Sequence, residues 1–275
     1  MKVRHFFRVV RAEAYKQMRA YWGKPANATT EALYPALQFA TAYYMFKPFL
    51  QEGIRVPWQA GNSGQSLALF LLTGFFGFTL FQRLLWAAMG MTQMERFGGT
   101  LEIQYMTPAS RFALLIGAAA GGLVRTVYLY ATFLLGALVW LGEWHPAHPG
   151  MILVAFAAVV VPGLAWGTLL NGQMLFARDF SAYVSILQPP LNFFGGVRFP
   201  VHLLPGWMQV VSAAIPLTWS LHVFRLVLLD GATLPQVGRE LGLALLVSAA
   251  CFALACLNVH RCERLARERG TMVLY

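Results

Sequence analysis

The chain has 275 residues, of which 58% are apolar and 12% charged, against roughly 25% charged in ordinary soluble domains. A soluble core cannot absorb that excess, which sets aside a soluble all-helical domain and points to lipid as the solvent. The net charge of +10 would suit nucleic acid, but Lys and Arg gather at the two ends, and no folded domain remains outside the apolar stretches to carry such a surface; no nucleic-acid partner is expected.

Residues 1–24 contain Lys2, Arg4, Arg8, Arg11, Lys16, Arg19 and Lys24. Val3, Phe7, Val10, Ala14, Met18 and Tyr21 recur at three- and four-residue steps, with the arginines largely off that line. The pattern predicts an amphipathic basic helix suited to an anionic membrane surface and lacks the continuous apolar run of a signal peptide. The first span follows from Leu33 to Leu50, with Thr29 or Thr30 as cap. A Gly-, Pro- and Asn-rich loop leads to a second span from Ser66 to Thr92, about 40 Å long and so longer than a ~30 Å hydrocarbon core. Arg83 lies in its later half.

The apolar run then breaks at ERFGGTLEIQYMTP, Glu95 to Pro108. Gly98-Gly99 releases the second helix, Thr100 caps a short new one, and Glu102 lies in its first turn, where negative charge is favoured. That piece, Leu101 to Met106, ends at Thr107-Pro108, which reads as N-cap and first-turn proline of the third span, reaching to Leu141. A short helix between two spans is a rigid knob rather than a tether.

Arg125 falls near the middle of the third span. A lone charge there costs roughly 2.5–3.5 kcal/mol on insertion scales, so Arg83 and Arg125 must face protein, water or each other. They either line a translocation path or bond to carbonyls and polar side chains such as Gln82, Asn171, Gln173 and Asn192.

The turn GEWHPAHPG precedes a fourth span, Met151 to Ala177, and a fifth runs from Phe180 to Phe199, interrupted by Pro189-Pro190 and Gly195-Gly196. Asn192, Phe193 and Phe194 sit in it as path candidates, although aromatics such as Phe75, Phe76 and Phe78 of the second span more often pack. In FPVHLLPGWMQVVSAAIPLTWSLHVFRLVLL, Pro205 and Pro216 each open a helix too short to cross alone. A last span, Val237 to Val259, leads into a basic tail, residues 260–275. Both ends are basic, so the number of crossings is even: six spans, both ends cytosolic, with residues 200–230 forming a re-entrant hairpin on the outer side. Cys251, Cys256 and Cys262 offer neither a disulfide framework nor metal spacing. No catalytic constellation shares one membrane depth, and no G-x-x-x-x-G-K-[ST] phosphate loop occurs.

E-R-x-G-G-T-L-E followed by T-P-x-S-R resembles the first cytoplasmic loop of ABC-transporter permeases of the type-two exporter class. The F-P, L-P-x-W and P-L-T pieces of residues 199–218 are similar to that family's outer hairpin, although Ile215 stands where Asn often precedes the proline. The resemblance covers nearly the whole chain, as a single permease domain of residues 1–275.

It implies an all-α polytopic fold in a bacterial-type inner membrane, with an interface helix and a coupling helix in residues 95–111. The residues implied to touch the ATPase are Glu95, Arg96, Gly98, Gly99, Thr100, Leu101, Glu102, Tyr105, Pro108 and Arg111. It further implies separate ABC ATPase subunits holding ATP and Mg, a second permease half, and no cofactor in this chain. The cargo would be an amphipathic or lipophilic compound, drug-like, lipid or lipid-linked glycan. The alternatives, a membrane lipid-modifying enzyme or a passive channel or scaffold, lack catalytic residues in the one case and a need for the stiff knob in the other.

Overall fold

The structure is a computed structural model that describes residues 3–22, 33, 36–45, 47, 67–99, 106, 110, 113–114, 116–118, 120–123, 149–171 and 180–268. Among these the regular elements are all helical: α1 (Val3–Trp22), α2 (Leu67–Phe97), α3 (Pro149–Asn171), α4 (Phe180–Phe194), a 3₁₀ turn at Val201–Leu203, α5 (Gly206–Ala214), α6 (Pro216–Leu229) and α7 (Leu234–Glu268). Three stretches are long and apolar enough to cross a bilayer: Leu69–Gly90, Gly150–Asn171 and Leu234–Asn258. A fourth results if α5 and α6, which meet at 87°, are taken as one broken span. Most of the expected first and third spans lies outside the described residues. There the chain is helical at 36–45 and at the described positions from 113 to 123.

α2 is apolar on every side, and a helix of that kind is stable only when surrounded. Its 31 residues span about 46 Å, and 83% of its apolar window is buried, against 17% for α7. α2 is therefore the axis of the bundle, and α7 turns Leu246, Leu254 and Leu257 outward. Phe76 of α2 stacks on Phe224 of α6 at 5.7 Å, and Phe156 of α3 meets both edge-on at 6.1 and 5.8 Å. Phe75, Phe76 and Phe78 are all buried, so in this fold they pack.

Small residues set how closely α3 approaches α2. A Cβ added at Gly167 would lie 2.6 Å from the Leu85 carbonyl oxygen and 2.7 Å from the Ala88 Cβ. That is backbone-level contact of the small-xxx-small kind, with Gly163 one turn away. Asn171 then donates from Nδ2 to the Ala88 and Met89 carbonyls at 3.0 and 3.1 Å. A polar group inside an apolar bundle is thereby spent on joining two helices.

Element boundaries follow local chemistry. α3 passes through Pro162 and α4 through Pro189 and Pro190, which membrane helices tolerate because neighbours satisfy the freed carbonyls. α4 stops at Gly195-Gly196, where Gly196 has φ 70°. Pro205 precedes α5, and Pro216 is the first residue of α6. Thr218 Oγ1 donates to the Ser212 carbonyl at 2.7 Å and Trp219 Nε1 to that of Ala213 at 2.9 Å, fixing the bend. α7 begins three residues before the expected Val237, because Gln236 accepts from the Thr233 backbone N–H at 2.8 Å, one half of a capping box. It also runs past Val259 as far as Glu268, so the helix continues into the basic tail.

Candidate functional site

α2 ends where the sequence places its release. Gly98 and Gly99 form an exposed turn, and Gly99 has φ 66°, in the left-handed region that glycine enters at little cost. One turn earlier, Glu95 is 7% exposed and accepts a hydrogen bond from Lys16 Nζ of α1 at 2.5 Å. Lys16 also pairs with Glu13 Oε2 at 3.1 Å, and Gln17 donates to Glu13 Oε1 at 2.8 Å. Burial works against the Lys16 charge, but its hydrogen bonds to Glu95 and Glu13 outweigh that and hold its pKa above the usual lysine value. Glu95, implied by the resemblance to face the ATPase, thus has a partner within the chain.

The buried face of α1 shares Val10 and Ala14 with its apolar stripe and adds Glu13 and Gln17. Phe7 and Tyr15 are 64% exposed, while Val9, Val10, Glu13, Ala14 and Gln17 lie against residues 114–121. A Cβ at Gly117 would lie 2.7 Å from the Glu13 Cβ and 2.8 Å from the Val10 carbonyl oxygen. One at Gly121 would meet Gln17 and Ala14 at the same two distances. Two glycines four apart thus admit α1 to backbone contact. Arg4, Arg8, Arg11 and Arg19 stay exposed, as their spacing predicts.

Of the remaining loop residues, Arg96 belongs to α2 and Met106 is helical and 85% exposed. Thr100, Leu101, Glu102, Tyr105, Pro108 and Arg111 lie outside the described residues, as does Arg125. Arg83 is half-buried midway along α2. Asn192 and Phe193 come together with Gln38, Met45 and Arg198 around a cavity of about 500 Å³. Phe194 meets Phe193 edge-on at 5.2 Å. Arg83 does not line that cavity, so the path candidates fall into two groups.

Arg225 was not singled out by the sequence. It sits in α6 and donates from Nη1 to the Gly196 carbonyl at 2.9 Å, and from Nη2 to those of Val197 and Phe70 at 3.0 and 3.4 Å. Its guanidinium carbon lies 3.7 Å from the centre of the Phe70 ring. A Cβ at Gly74 would collide with Arg225 Nη2 and the Val197 carbonyl, and one at Gly77 with Leu221. The signal was present in two halves: an arginine in an apolar helix, and a glycine pair three apart on the second span. Only tertiary contact joins them.

Comparison with known proteins places this geometry. Residues 8–229 match the family described as ABC-2 type transporter. Among curated relatives, ycf38 of Cyanophora paradoxa, whose name describes a transport permease, is 23% identical over 62% of this chain and 59% of its own length. Nodulation protein J of Rhizobium meliloti is 31% identical over 33% of this chain and 36% of its own. YbhR of Escherichia coli, named as a multidrug ABC transporter permease, is 23% identical over 56% of this chain and 42% of its own. The chain therefore spans less than two thirds of the length of each of these relatives.

Proposed function

The chain belongs to the ABC-2 type transporter family, a multi-pass membrane permease, and from that premise we propose that it is the transmembrane subunit of an ATP-driven exporter. Separate nucleotide-binding subunits hold ATP and Mg, and a second permease half completes the pathway. In this reading the chain crosses a bacterial-type inner membrane six times with both ends cytosolic, and α5–α6 forms a re-entrant hairpin on the outer side. The cargo is an amphipathic or lipophilic compound taken from the cytoplasm or inner leaflet. Asn192 and Phe193, and separately Arg83 and Arg125, are its candidate contacts.

The observation that carries this reading is mechanical. α2 is one uninterrupted helix whose far end is fastened to the hairpin by Arg225 and whose near end, at Gly98-Gly99, opens into the loop. A rigid helix about 46 Å long transmits displacement where a broken one would absorb it. The ATPase would push on residues 100–111, using Leu101, Glu102, Tyr105 and Arg111. Glu95 takes part indirectly, by joining α2 to α1 through Lys16.

The test is Leu101→Asp together with Glu102→Lys in the complex purified with its native ATPase. The expected outcome is loss of the complex, or ATP hydrolysis no longer tied to transport, with the melting temperature of the permease unchanged. Normal co-purification and a normal transport rate would remove the coupling assignment.

A further inference from the structure

The cavity of about 500 Å³ lies between the helical residues 36–45 and the second half of α4, with Arg198 and Phe199 completing its wall. Among the described residues Arg198 is the one charged group of that wall, and the other polar groups are the carboxamides of Gln38, Gln188 and Asn192. Arg198 makes no hydrogen bond or ion pair among the described residues, and its Nε is buried without a partner. Its guanidinium carbon lies 5.8 Å from the centre of the Phe75 ring. A cation with a buried, unmatched donor is costly, and nearly all buried donors in native proteins are paired. The fold does not supply this partner.

The backbone around Arg198 is held in place. The two carbonyls before it, of Gly196 and Val197, accept from Arg225 at 2.9 and 3.0 Å. The residue after it, Phe199, meets Phe193 of α4 edge-on at 5.2 Å. Little backbone ordering is left for a ligand to impose.

The charge of the wall selects the ligand. A cation would face Arg198 with no carboxylate among the described wall residues to offset it. A zwitterionic head would bring a cation with the same lack. A neutral hydroxyl would pair Nε and leave the charge unbalanced. An anionic oxygen group balances Arg198, accepts from its Nε and can accept from the N–H groups of Gln38 and Asn192. Beyond these groups the wall is apolar, and Ile186, Pro189 and Phe193 follow one another along one exposed face of α4. That face suits a hydrocarbon chain, which a free inorganic anion lacks.

We infer that this cavity is an anion site that takes the phosphate-type head of an anionic amphiphile, with Arg198 as counter-ion and Asn192 and Gln38 as further donors. The site goes beyond the exporter reading and does not rest on it, because it concerns what the resting chain holds rather than what is moved.

The experiment uses the full chain with its ATPase partner in phosphatidylcholine nanodiscs, without nucleotide, and a photoreactive phosphatidylglycerol as probe. Saturable labelling of peptides within residues 36–45 and 186–199 is expected. Phosphatidylglycerol should compete, and a cationic diacyl lipid, further phosphatidylcholine or inorganic phosphate should compete far less. Arg198→Gln should weaken the labelling about tenfold, and Arg198→Lys by less, because lysine keeps the charge and loses the fork. In phosphatidylcholine alone Arg198→Gln should melt no lower than the parent, since the bond it loses is to the ligand. Added phosphatidylglycerol should then raise the melting temperature of the parent more than that of the variant. Non-saturable labelling, equal competition by the cationic or zwitterionic lipid, undiminished labelling of Arg198→Gln, or a lower melting temperature of that variant in phosphatidylcholine would each overturn the inference. Inorganic phosphate competing as well as phosphatidylglycerol would overturn the amphiphile and leave a free-anion site. Binding is read without ATP, so its failure leaves the exporter reading standing.

Discussion

At one end of α2, Arg225 gives its guanidinium to three backbone carbonyls; at the other, Lys16 gives its ammonium to two carboxylates. Both join α2 to a neighbouring element; Arg225 itself lies against Gly74, and Glu13, the ion-pair partner of Lys16, lies against Gly117, neither glycine having room for a side chain. The difference is in what can be undone. Backbone carbonyls do not titrate, and Arg225 is stacked on Phe70, so α6 is tied to α2 and to residues 196–197 by groups that keep their charge state. The Lys16 side chain is 47% exposed and its partners are side chains, so α1 is held by bonds that can open and reform. α2 is thus tied at one end by groups that do not titrate and at the other by an exposed ion pair.

The largest effect is expected from breaking the fixed end. Arg225→Leu leaves the Gly196 and Val197 carbonyls without this donor, while that of Phe70 still accepts from Thr73 Oγ1; at about 1–3 kcal/mol for each buried unsatisfied group, the loss should reach about 2 kcal/mol or more. Thermal unfolding in detergent measures it, and proteolysis between Val197 and Pro205 should accelerate. Arg225→Lys should recover less than half, because an ammonium lacks the planar fork that reaches three acceptors while stacking on a ring. Recovery to the parent value by lysine would mean that charge alone matters and that the two ends are alike.

The glycines sharpen the comparison. At Gly74 the obstacles are a backbone oxygen and a clamped guanidinium; at Gly117 they are the Cβ of Glu13 and the Val10 carbonyl, on a helix at the edge of the bundle. Gly74→Ala should fall in the upper part of the ~1–3 kcal/mol range for overpacking and Gly117→Ala in the lower part, since α1 can shift. Equal costs would show that α1 is held as firmly as the hairpin.

Lys16→Met comes next. It leaves Glu13 and Glu95, both buried, without their shared cation, but the exposure of Lys16 limits the loss to about 1–2 kcal/mol. Exchanging the charges, Lys16→Glu with Glu95→Lys, should restore most of it, because the new lysine can pair with both Glu13 and the new glutamate. No rescue by exchange would make the bond specific to its geometry rather than to its charges.

How much of this was readable beforehand varies with the range of the forces. Turn and cap signals are local, so the release at Gly98-Gly99 and the helix starts at Pro205 and Pro216 were legible. The capping pair Thr233 and Gln236 is equally local, and it starts α7 three residues before the apolar run that begins at Val237. The face that α1 turns to residues 114–121 is selected by Gly117 and Gly121, which meet Val10 and Ala14 of the stripe together with Glu13 and Gln17, and glycine spacing on a distant segment is not a local signal. The bond of Glu95 to Lys16 is not legible in the sequence, because the two lie 79 residues apart. The same holds for Arg225, whose acceptor on Phe70 is 155 residues distant. Polar contacts between elements leave no periodic trace.

The smallest expected effect concerns pH and separates the two ends without mutation. Because the pKa of Lys16 is raised in the folded chain above its reference value of 10.5, folding holds the proton more tightly than unfolding does. Its contribution is therefore fully present below about pH 10.5 and declines as pH rises through the higher folded value. Across neutral pH nothing should change. The change above pH 10.5 should be slight, since solvent screens a side chain that is 47% exposed. The carbonyl clamp at Arg225 has no acceptor that titrates. Disulfide trapping of α1 against residues 113–123, scanned from pH 7 to 11, should thus show α1 loosening only at the alkaline end while hairpin proteolysis stays constant. Lys16→Met should abolish that pH dependence. A loosening of α1 that begins near pH 8, or one that persists unchanged in Lys16→Met, would assign the yielding end to some group other than Lys16.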